Sequence, residues 1–272
     1  MAEGKVALVT GVSSGIGRSI ALLLASHGFH VFGTVRRLDD LDSSTSNLEF
    51  IQLDVRDDES VNAGVKSVLG RAGRIDVVVN NAGHTLVGAQ EETSIEEGEQ
   101  LFDTNFFGVL RVNKAVLSAM RDQGSGRIIN IGSMTGFLPG PYQGIYAASK
   151  HALEGYSESL DHEVRRFGIR VSVVDPGFTR TQIDKNAGIA REPLEPYDTE
   201  RESVLSAVRS NNASGQEPGA VATVVLKCLD SPSPKSRYVI GRGASFVAMM
   251  RKFAPASVFD KGLRRQFNLT ST

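Results

Sequence analysis

Short runs of β-branched and apolar residues recur along the chain, each followed by a longer stretch of helical periodicity. Strands are predicted at Lys5–Thr10, His30–Val35, Leu48–Leu53, Asp76–Asn80, Arg127–Gly132, Ile169–Val174 and Arg237–Ile240. The central runs are almost wholly apolar, as in Val77-Val78-Val79 and Ile128-Ile129. That is the pattern of strands buried on both faces of a parallel sheet. Helices are predicted between them at Gly15–His27, Asp58–Arg71, Ile95–Arg121, Tyr146–Phe167 and Pro218–Leu229. This alternation predicts an α/β fold with a doubly wound parallel sheet. No internal repeat and no Pro/Ser-rich linker divides the chain, so a single domain is expected.

Two regions break the rhythm. Gln182–Gln216 carries Pro193, Pro196, many polar residues and a helical pattern at Thr199–Arg209. It is long for a connection between a strand and a helix, and such insertions often serve as lids over binding sites. A variable surface excursion is the alternative reading. The tail Ala244–Thr272 contains Phe246, Met249, Met250, Phe253 and Phe259, then Lys261, Arg264 and Arg265. It is expected to pack back on a catalytic domain of residues 1–243 as a short helix, in preference to lying on a membrane surface.

Composition narrows the class. Of 272 residues, 30 are Lys or Arg and 31 Asp or Glu, and 40% are hydrophobic. That apolar fraction with near-zero net charge excludes a disordered chain. The balance leaves no global footprint for nucleic acid. One Cys cannot form an internal disulfide. No apolar run approaches the length of a spanning helix and none near the start resembles a signal segment, so a cytoplasmic protein without membrane insertion is expected.

Glycine is abundant, at 28 residues, and its placement matters. Thr10-Gly11-Val12-Ser13-Ser14-Gly15-Ile16-Gly17 sits where the first predicted strand meets the first predicted helix. Glycines there permit a tight turn and close approach of a pyrophosphate, which the amides and dipole of the helix N-terminus then favour. The second strand ends in Thr34-Val35-Arg36-Arg37. An acid about here would hold a ribose 2′-hydroxyl, whereas an Arg suits a 2′-phosphate. Arg36 and Arg37 therefore favour NADP(H), with Ser14 a candidate second donor. Asp39 and Asp40 follow shortly, which leaves NAD(H) open. Asp54 and Val55, after the third strand, are candidates for the adenine edge, and Asn81, Ala82 and Gly83 supply a small-residue loop against the cofactor.

Tyr146 and Lys150 stand at i and i+4, one turn apart on one helix face. A free Tyr has a pKa of about 10, and a nearby cation lowers it. Ser133 ends the fifth strand, thirteen residues before Tyr146. Strand carboxyl ends form the ligand crevice in open α/β sheets, and a hydroxyl there can polarise a carbonyl. Asn105 lies among Phe102, Phe106 and Phe107, where a polar contact relaying protons toward Lys150 would explain it. Leu138, Pro139, Pro141, Tyr142 and Phe178 suggest an apolar substrate pocket. His84 has no ligand-spaced partner, so no metal site is expected. His151, His162 and Cys228 read as packing or surface residues.

These motifs together resemble the short-chain dehydrogenase/reductase family across residues 5–180. The match rests on T-G-x-x-x-G-x-G at Thr10–Gly17, N-N-A-G at Asn80–Gly83, Asn105, Ser133, the Tyr146/Lys150 pair and Pro176-Gly177. The resemblance implies a Rossmann-type sheet of seven parallel strands in the order 3-2-1-4-5-6-7, a nicotinamide cofactor and an Asn-Ser-Tyr-Lys tetrad. Tyr146 would be the general acid/base and Ser133 the holder of the substrate oxygen. Lys150 would bind ribose and tune Tyr146, and Asn105 would support a proton relay. Pro176, Gly177, Thr179 and Thr181 match the family segment beside the nicotinamide. Thr34-Val35-Arg36 resembles the NADP-preferring branch that includes 17β-hydroxysteroid dehydrogenases, and the tail resembles bacterial members of it. The Asp-Gly-Gly ending of tetrameric members is absent, so a homodimer is expected and a tetramer left open.

The expected function is an NADP(H)-dependent oxidoreductase on a small secondary alcohol or ketone, with Ser133, Tyr142 and Phe178 touching substrate. The alternative is a non-catalytic NADP(H)-binding sensor of the same fold.

Overall fold

The computed structural model describes residues 4–38, 46–181, 188–241, 243–253 and 255–269. Asp39, Asp40, the first residues of the expected lid (182–187) and the last three of the tail lie outside the described residues.

Seven parallel strands form the main sheet: β1 (Val6–Val9), β2 (His30–Val35), β3 (Leu48–Gln52), β4 (Val77–Asn80), β6 (Gly126–Ile131), β7 (Ile169–Pro176) and β9 (Arg237–Ile240), with a two-residue strand β5 (Leu86–Val87) after β4 and another, β8 (Gly188–Ile189), after β7. The sheet order is β3-β2-β1-β4-β6-β7-β9, the order implied by the resemblance. Helices α1 (Gly15–Ser26), α2 (Asp58–Ala72), α3 (Ile95–Phe102), α4 (Gly108–Gln123), α5 (Gly144–Val164), α6 (Asp198–Ala213) and α7 (Pro218–Asp230) connect and cover the strands, and α8 (Ala244–Phe253) and α9 (Ala256–Gln266) make up the tail. The small β5–β8 pair was not foreseen; it joins the loop after β4 to the lid segment.

Alternation along β1 explains the layering. Ala7 and Val9 face a core that includes Ile20 and Leu24 of α1 and Val221 and Val225 of α7. Val6 and Leu8 face the opposite core, with Val65 of α2, Val112 and Val116 of α4 and Leu160 of α5. Each large side chain fully buried in these layers contributes about 1.5–3 kcal/mol. Local signals set the helix ends. Asp57 accepts from the Ser60 amide at 2.7 Å at the start of α2, and Ser94 and Glu97 form a capping box on α3.

The chain runs outward from β1 to β3, then crosses back to β4. The sheet order therefore reverses between β1 and β4, which opens a crevice at their carboxyl ends. The glycine-rich turn follows β1 and Asn80–Gly83 follows β4, so both motifs reach that crevice.

One expected element is corrected. The helix read across Ile95–Arg121 is two helices, α3 and α4, joined by a π-helical turn at Asp103–Phe107. One inserted residue shifts the apolar phase by too little for periodicity to reveal. Asn105 sits in that turn, buried. The tail is likewise two helices rather than one, because Pro255 cannot continue a helix interior and instead caps α9.

Candidate active site

Gly11 and Gly15 adopt φ of +70° and +61°, a region that favours glycine. A Cβ on Gly11 would stand 2.9 Å from the Ala82 Cα, and one on Gly17 would fall on the Asn81 amide and the Gly11 carbonyl. The Thr10 hydroxyl accepts from the Asn81 and Ala82 amides at 2.9 and 3.0 Å. The Asn81 side chain donates to the Thr10 and Gly11 carbonyls, both at 3.0 Å. The turn after β1 and the loop after β4 are thus locked into one cradle without side chains in it. Ser14 is the N-cap of α1, yet its hydroxyl caps no amide, and no acid stands in the first turn. Ser13 and Ser14 are exposed there, and Gly15 and Ile16 after them are half-buried. The donor set and the missing Cβ atoms fit a dinucleotide pyrophosphate.

Arg36 and Arg37 are exposed, and neither makes an ion pair with a described residue. Arg36 lies close enough to Asp54 and His84 for its charge to lower both of their pKa values. Asp54 itself is held by Arg56, whose Nη2 donates at 2.7 Å. That hydrogen bonding keeps the Asp54 carboxyl below its usual range. Val55 is buried against the start of α4, where a Cβ on Gly108 would meet its side chain at 2.8 Å. The segment after β7 closes the cradle. Gly177 donates to the Ile240 carbonyl at 2.7 Å, and the Thr179 hydroxyl donates to the Gly177 carbonyl at 2.9 Å. Thr181 reaches Gly15, where a Cβ would come 3.3 Å from its methyl. Pro176 ends β7 directly before this turn.

The second group of residues gathers at the carboxyl end of β6. The Tyr146 phenol meets the hydroxyls of Ser133 and Thr135, and the Thr135 hydroxyl donates to Ser133 Oγ at 2.9 Å. Thr135 was missed in the sequence; its position two residues after Ser133 was the only signal. Lys150 Nζ donates to the Ile131 carbonyl at 2.9 Å and lies 5.9 Å from the centre of the Tyr146 ring. Burial raises the Tyr146 pKa, against the hydrogen bonds from Ser133 and Thr135 that lower it. The depression expected from Lys150 is therefore not what dominates. Burial also pulls Lys150 down to about 8, opposed by the charges of Asp175 and Glu154.

Asn105 is fixed by direct bonds to the loop after β4. Its Oδ1 accepts from the His84 amide at 3.0 Å, and its Nδ2 donates to the His84 carbonyl at 2.9 Å. These bonds pin the loop after β4 to the π-helical turn, and the nearest further partner is the Ser149 hydroxyl, not Lys150. Asn80 ties strands together: its Nδ2 donates to Asn113 and to Asn130, both at 2.8 Å. Among the described residues no group of His, Cys, Asp or Glu could hold a metal ion.

A cavity of about 370 Å³ is lined by Leu86, Ala89, Pro141, Tyr142 and Ile145, by Tyr197 and Glu200 at the start of α6, and by Arg264 and Leu269 of the tail; Ser133, Tyr146, Leu138 and Pro139 are not among its lining residues. Tyr142 holds φ at +58° and donates from its hydroxyl to Glu200 at 3.1 Å. Burial, with Glu200 next, pushes its phenol up to about 12. Phe178 does not line this cavity; it packs under α6 with Val204, Val208 and Phe267. A larger open depression of about 750 Å³ runs along one face of α6 and contains none of the residues singled out above.

Two buried acids tie the segment 188–216 to the body of the domain. Glu92 accepts from the Ala89 amide at 2.7 Å and the Leu194 amide at 2.9 Å, and pairs with Arg201 of α6. Glu97 accepts from the Arg191 amide at 3.0 Å. Neither acid was singled out in the sequence, since a Glu in a polar stretch carries no periodic signal. Glu92→Gln is expected to cost about 2 kcal/mol of stability, because buried Arg201 loses its buried carboxylate and keeps only the half-exposed Asp198 as an anionic partner among the described residues. Thermal denaturation measures it, and KM should rise more than kcat falls.

Comparison with known proteins agrees with this arrangement. The family model described as short chain dehydrogenase matches residues 5–192. A 3-ketodihydrosphingosine reductase of Bacteroides thetaiotaomicron is 36% identical over 265 residues, covering 96% of this chain and 97% of its own. The crystal structure of a short-chain dehydrogenase from Streptomyces avermitilis superposes with a TM-score of 0.82 at 37% identity, covering 96% of this chain and 97% of that one. An alcohol dehydrogenase from the archaeon Thermococcus sibiricus, complexed with 5-hydroxy-NADP, superposes with a TM-score of 0.71 at 28% identity, over 87% of this chain and 96% of that one. By sheet order, glycine cradle and sequence, the chain belongs to the short-chain dehydrogenases, a family of oxidoreductases.

Proposed function

We propose that this protein is an NADP(H)-dependent oxidoreductase that interconverts a secondary alcohol and a ketone on a mostly apolar small molecule. A hydroxysteroid-like substrate or a broader carbonyl reductase activity both suit it. The observation that carries the reading is the meeting of Tyr146, Ser133 and Thr135 hydroxyls at the end of β6, with Lys150 one turn behind and the glycine cradle beside them. A nicotinamide dinucleotide, when bound, supplies or receives the hydride. The chain supplies the rest. Ser133 holds the carbonyl oxygen by a hydrogen bond. Tyr146, kept protonated at neutral pH by its burial, donates its phenolic proton to that oxygen as it gains charge. Lys150 places its cation near the phenol and offers donors to a ribose. Asn105 is a positioning residue, fixing the loop after β4 through His84.

Gly11, Ser13, Ser14, Gly15, Ile16 and Gly17 hold the pyrophosphate. Asn81, Ala82, Gly83, Pro176, Gly177, Thr179 and Thr181 line the nicotinamide end, and Asp54 and Val55 the adenine end. The exposed Arg36 and Arg37 support NADP(H), and the placing of this chain in the NADP-preferring branch. Leu86, Ala89, Pro141, Ile145 and Leu269, the apolar part of a mixed cavity lining that also carries Tyr142, Glu200 and Arg264, support a mostly hydrophobic substrate. A homodimer through α4 and α5 is part of this reading, supported by Phe107, exposed where α4 begins.

The test is NADPH oxidation across a panel of steroid, fatty and aromatic ketones. Turnover on apolar members with little on small polar ones is expected. Tight NADPH binding with no turnover across the panel would favour a sensor instead.

A further inference from the structure

Two buried carboxyl groups beneath the candidate site have no part in the chemistry above. Glu154 stands one turn beyond Lys150 on α5, so Tyr146, Lys150 and Glu154 follow each other at intervals of four along one helix face. Asp175 is in β7, directly before Pro176, and is fully buried. Asp175 Oδ1 accepts from the Ser133 amide at 3.0 Å. The Glu154 carboxyl stands beside it: Arg237 Nε lies 2.9 Å from Glu154 Oε2 and 3.6 Å from Asp175 Oδ2. Asp175 Oδ2 and Glu154 Oε1 are both buried and receive no hydrogen bond from protein N–H or O–H groups. Two buried carboxylates side by side repel, and a proton shared between them relieves that repulsion.

Charge around the pair agrees. Arg237 of β9 donates from Nε to Glu154 Oε2 at 2.9 Å and approaches Asp175 Oδ2 at 3.6 Å. Its guanidinium lies over the Phe137 ring, 5.6 Å from the centre. The other groups facing the pair are Lys150, Tyr146 and, through Arg237, Glu158, all on α5. Lys150 acts on the pair only through its charge, since its ammonium donates to the Ile131 carbonyl and to neither carboxyl group. Arg237 is thus the cation in contact with the two buried carboxyl groups, and a proton on one of them removes the charge that it leaves unpaired.

We infer that Glu154 and Asp175 share one proton at neutral pH, and that this clamp, closed by Arg237, positions the backbone of Ser133. Burial and the neighbouring Glu154 push Asp175 from the ordinary 3.8 up to about 9. Loss of the shared proton would set two carboxylates against each other under Ser133. The positioning half of this inference rests on the proposed role of Ser133; the shared proton does not.

The sign of the pH effect follows from linkage. Between 3.8 and about 9 the folded chain keeps a proton that the unfolded chain releases. Its folding equilibrium constant therefore falls by up to about tenfold per pH unit as pH rises, relative to a variant without that proton. Asp175→Asn copies the protonated acid, accepting from the Ser133 amide and donating to Glu154, and Glu154→Gln does the reciprocal.

Thermal denaturation of the full chain and of both variants should be followed from about pH 5 to about pH 8. The melting temperature of each variant minus that of the wild type is expected to grow with pH. A gap that stays constant overturns the shared proton, since a merely structural change carries no such slope. For positioning, Asp175→Ala is expected to lower kcat at least about tenfold with cofactor affinity kept, and Asp175→Asn to recover most of that loss. An Asp175→Ala variant with undiminished kcat, or an Asp175→Asn variant as impaired as Asp175→Ala, overturns the positioning role. The denaturation arm needs no substrate, so it stands apart from failure of the proposed activity.

Discussion

Tyr146→Phe is expected to lower kcat by about 10³-fold while leaving NADPH affinity within a factor of two or three, the range lost when a positioned proton donor is removed. The substitution deletes one hydroxyl and little else. The Thr135 hydroxyl keeps Ser133 Oγ as its acceptor at 2.9 Å, and half-buried Ser133 can turn its freed hydroxyl proton to solvent or substrate. Lys150 keeps the Ile131 carbonyl, and the glycine cradle is formed by other residues. The fold and the cofactor surface should therefore survive, and the loss should fall on the proton transfer alone. Steady-state ketone reduction and NADPH fluorescence titration check the two halves separately. A variant within tenfold of the wild type would remove Tyr146 from the chemistry; loss of NADPH binding would make it structural. Because burial raises the phenol above its ordinary 10, its protonated, donating form persists through neutral pH. Reduction is thus expected to hold through neutrality and decline only on the alkaline side, where the phenol ionises.

Much of this could be read from residues in order, for a physical reason. A strand buried on both faces must be apolar at every position, so Val77-Val78-Val79 announces itself. A turn that needs positive φ and open space needs glycine, so Gly11, Gly15 and Gly17 mark the cradle. Tyr146 and Lys150 are separated by one helical turn and need nothing else to be found. What escaped depends on contacts between distant segments. The π-helical turn at Asp103–Phe107 changes helical phase by one residue within an otherwise continuous apolar pattern. The short β5–β8 pairing spans about a hundred residues of chain and only two residues per strand. Glu92, Glu97, Glu154 and Asp175 are acids whose burial is decided by what folds over them, and a sequence lists them with every solvated acid. Phe178 carries only its apolar character in the sequence, which suits a substrate pocket as well as a core; in the fold its ring packs with Val204 and Val208 of α6 and Phe267 of the tail. Asn105 was found from its company of aromatic residues, but its partner, the His84 backbone, is a neighbour only in the fold.

Arg36→Asp is expected to weaken NADPH binding by about 10²-fold and to narrow or invert the preference over NADH. The arginine sits at the carboxyl end of β2, exposed and without an ion pair to any described residue, so its fork is available to a 2′-phosphate. One charge-assisted hydrogen bond contributes about 1.5–3 kcal/mol, or ten- to a hundredfold in affinity, and reversing the charge adds repulsion. The introduced carboxylate accepts from a ribose 2′-hydroxyl, which is why NADH should gain where NADPH loses. Arg37 stands next in the chain, and Arg37→Asp separates the two: a smaller loss there assigns the phosphate chiefly to Arg36. Binding of both cofactors should be titrated at low and at moderate salt. Because Arg36 is exposed, the discrimination it confers should shrink as ionic strength rises and the Debye length falls toward about 8 Å. An unchanged ratio of NADPH to NADH affinity in Arg36→Asp would place the 2′-phosphate elsewhere and reopen the assignment of the second strand's end.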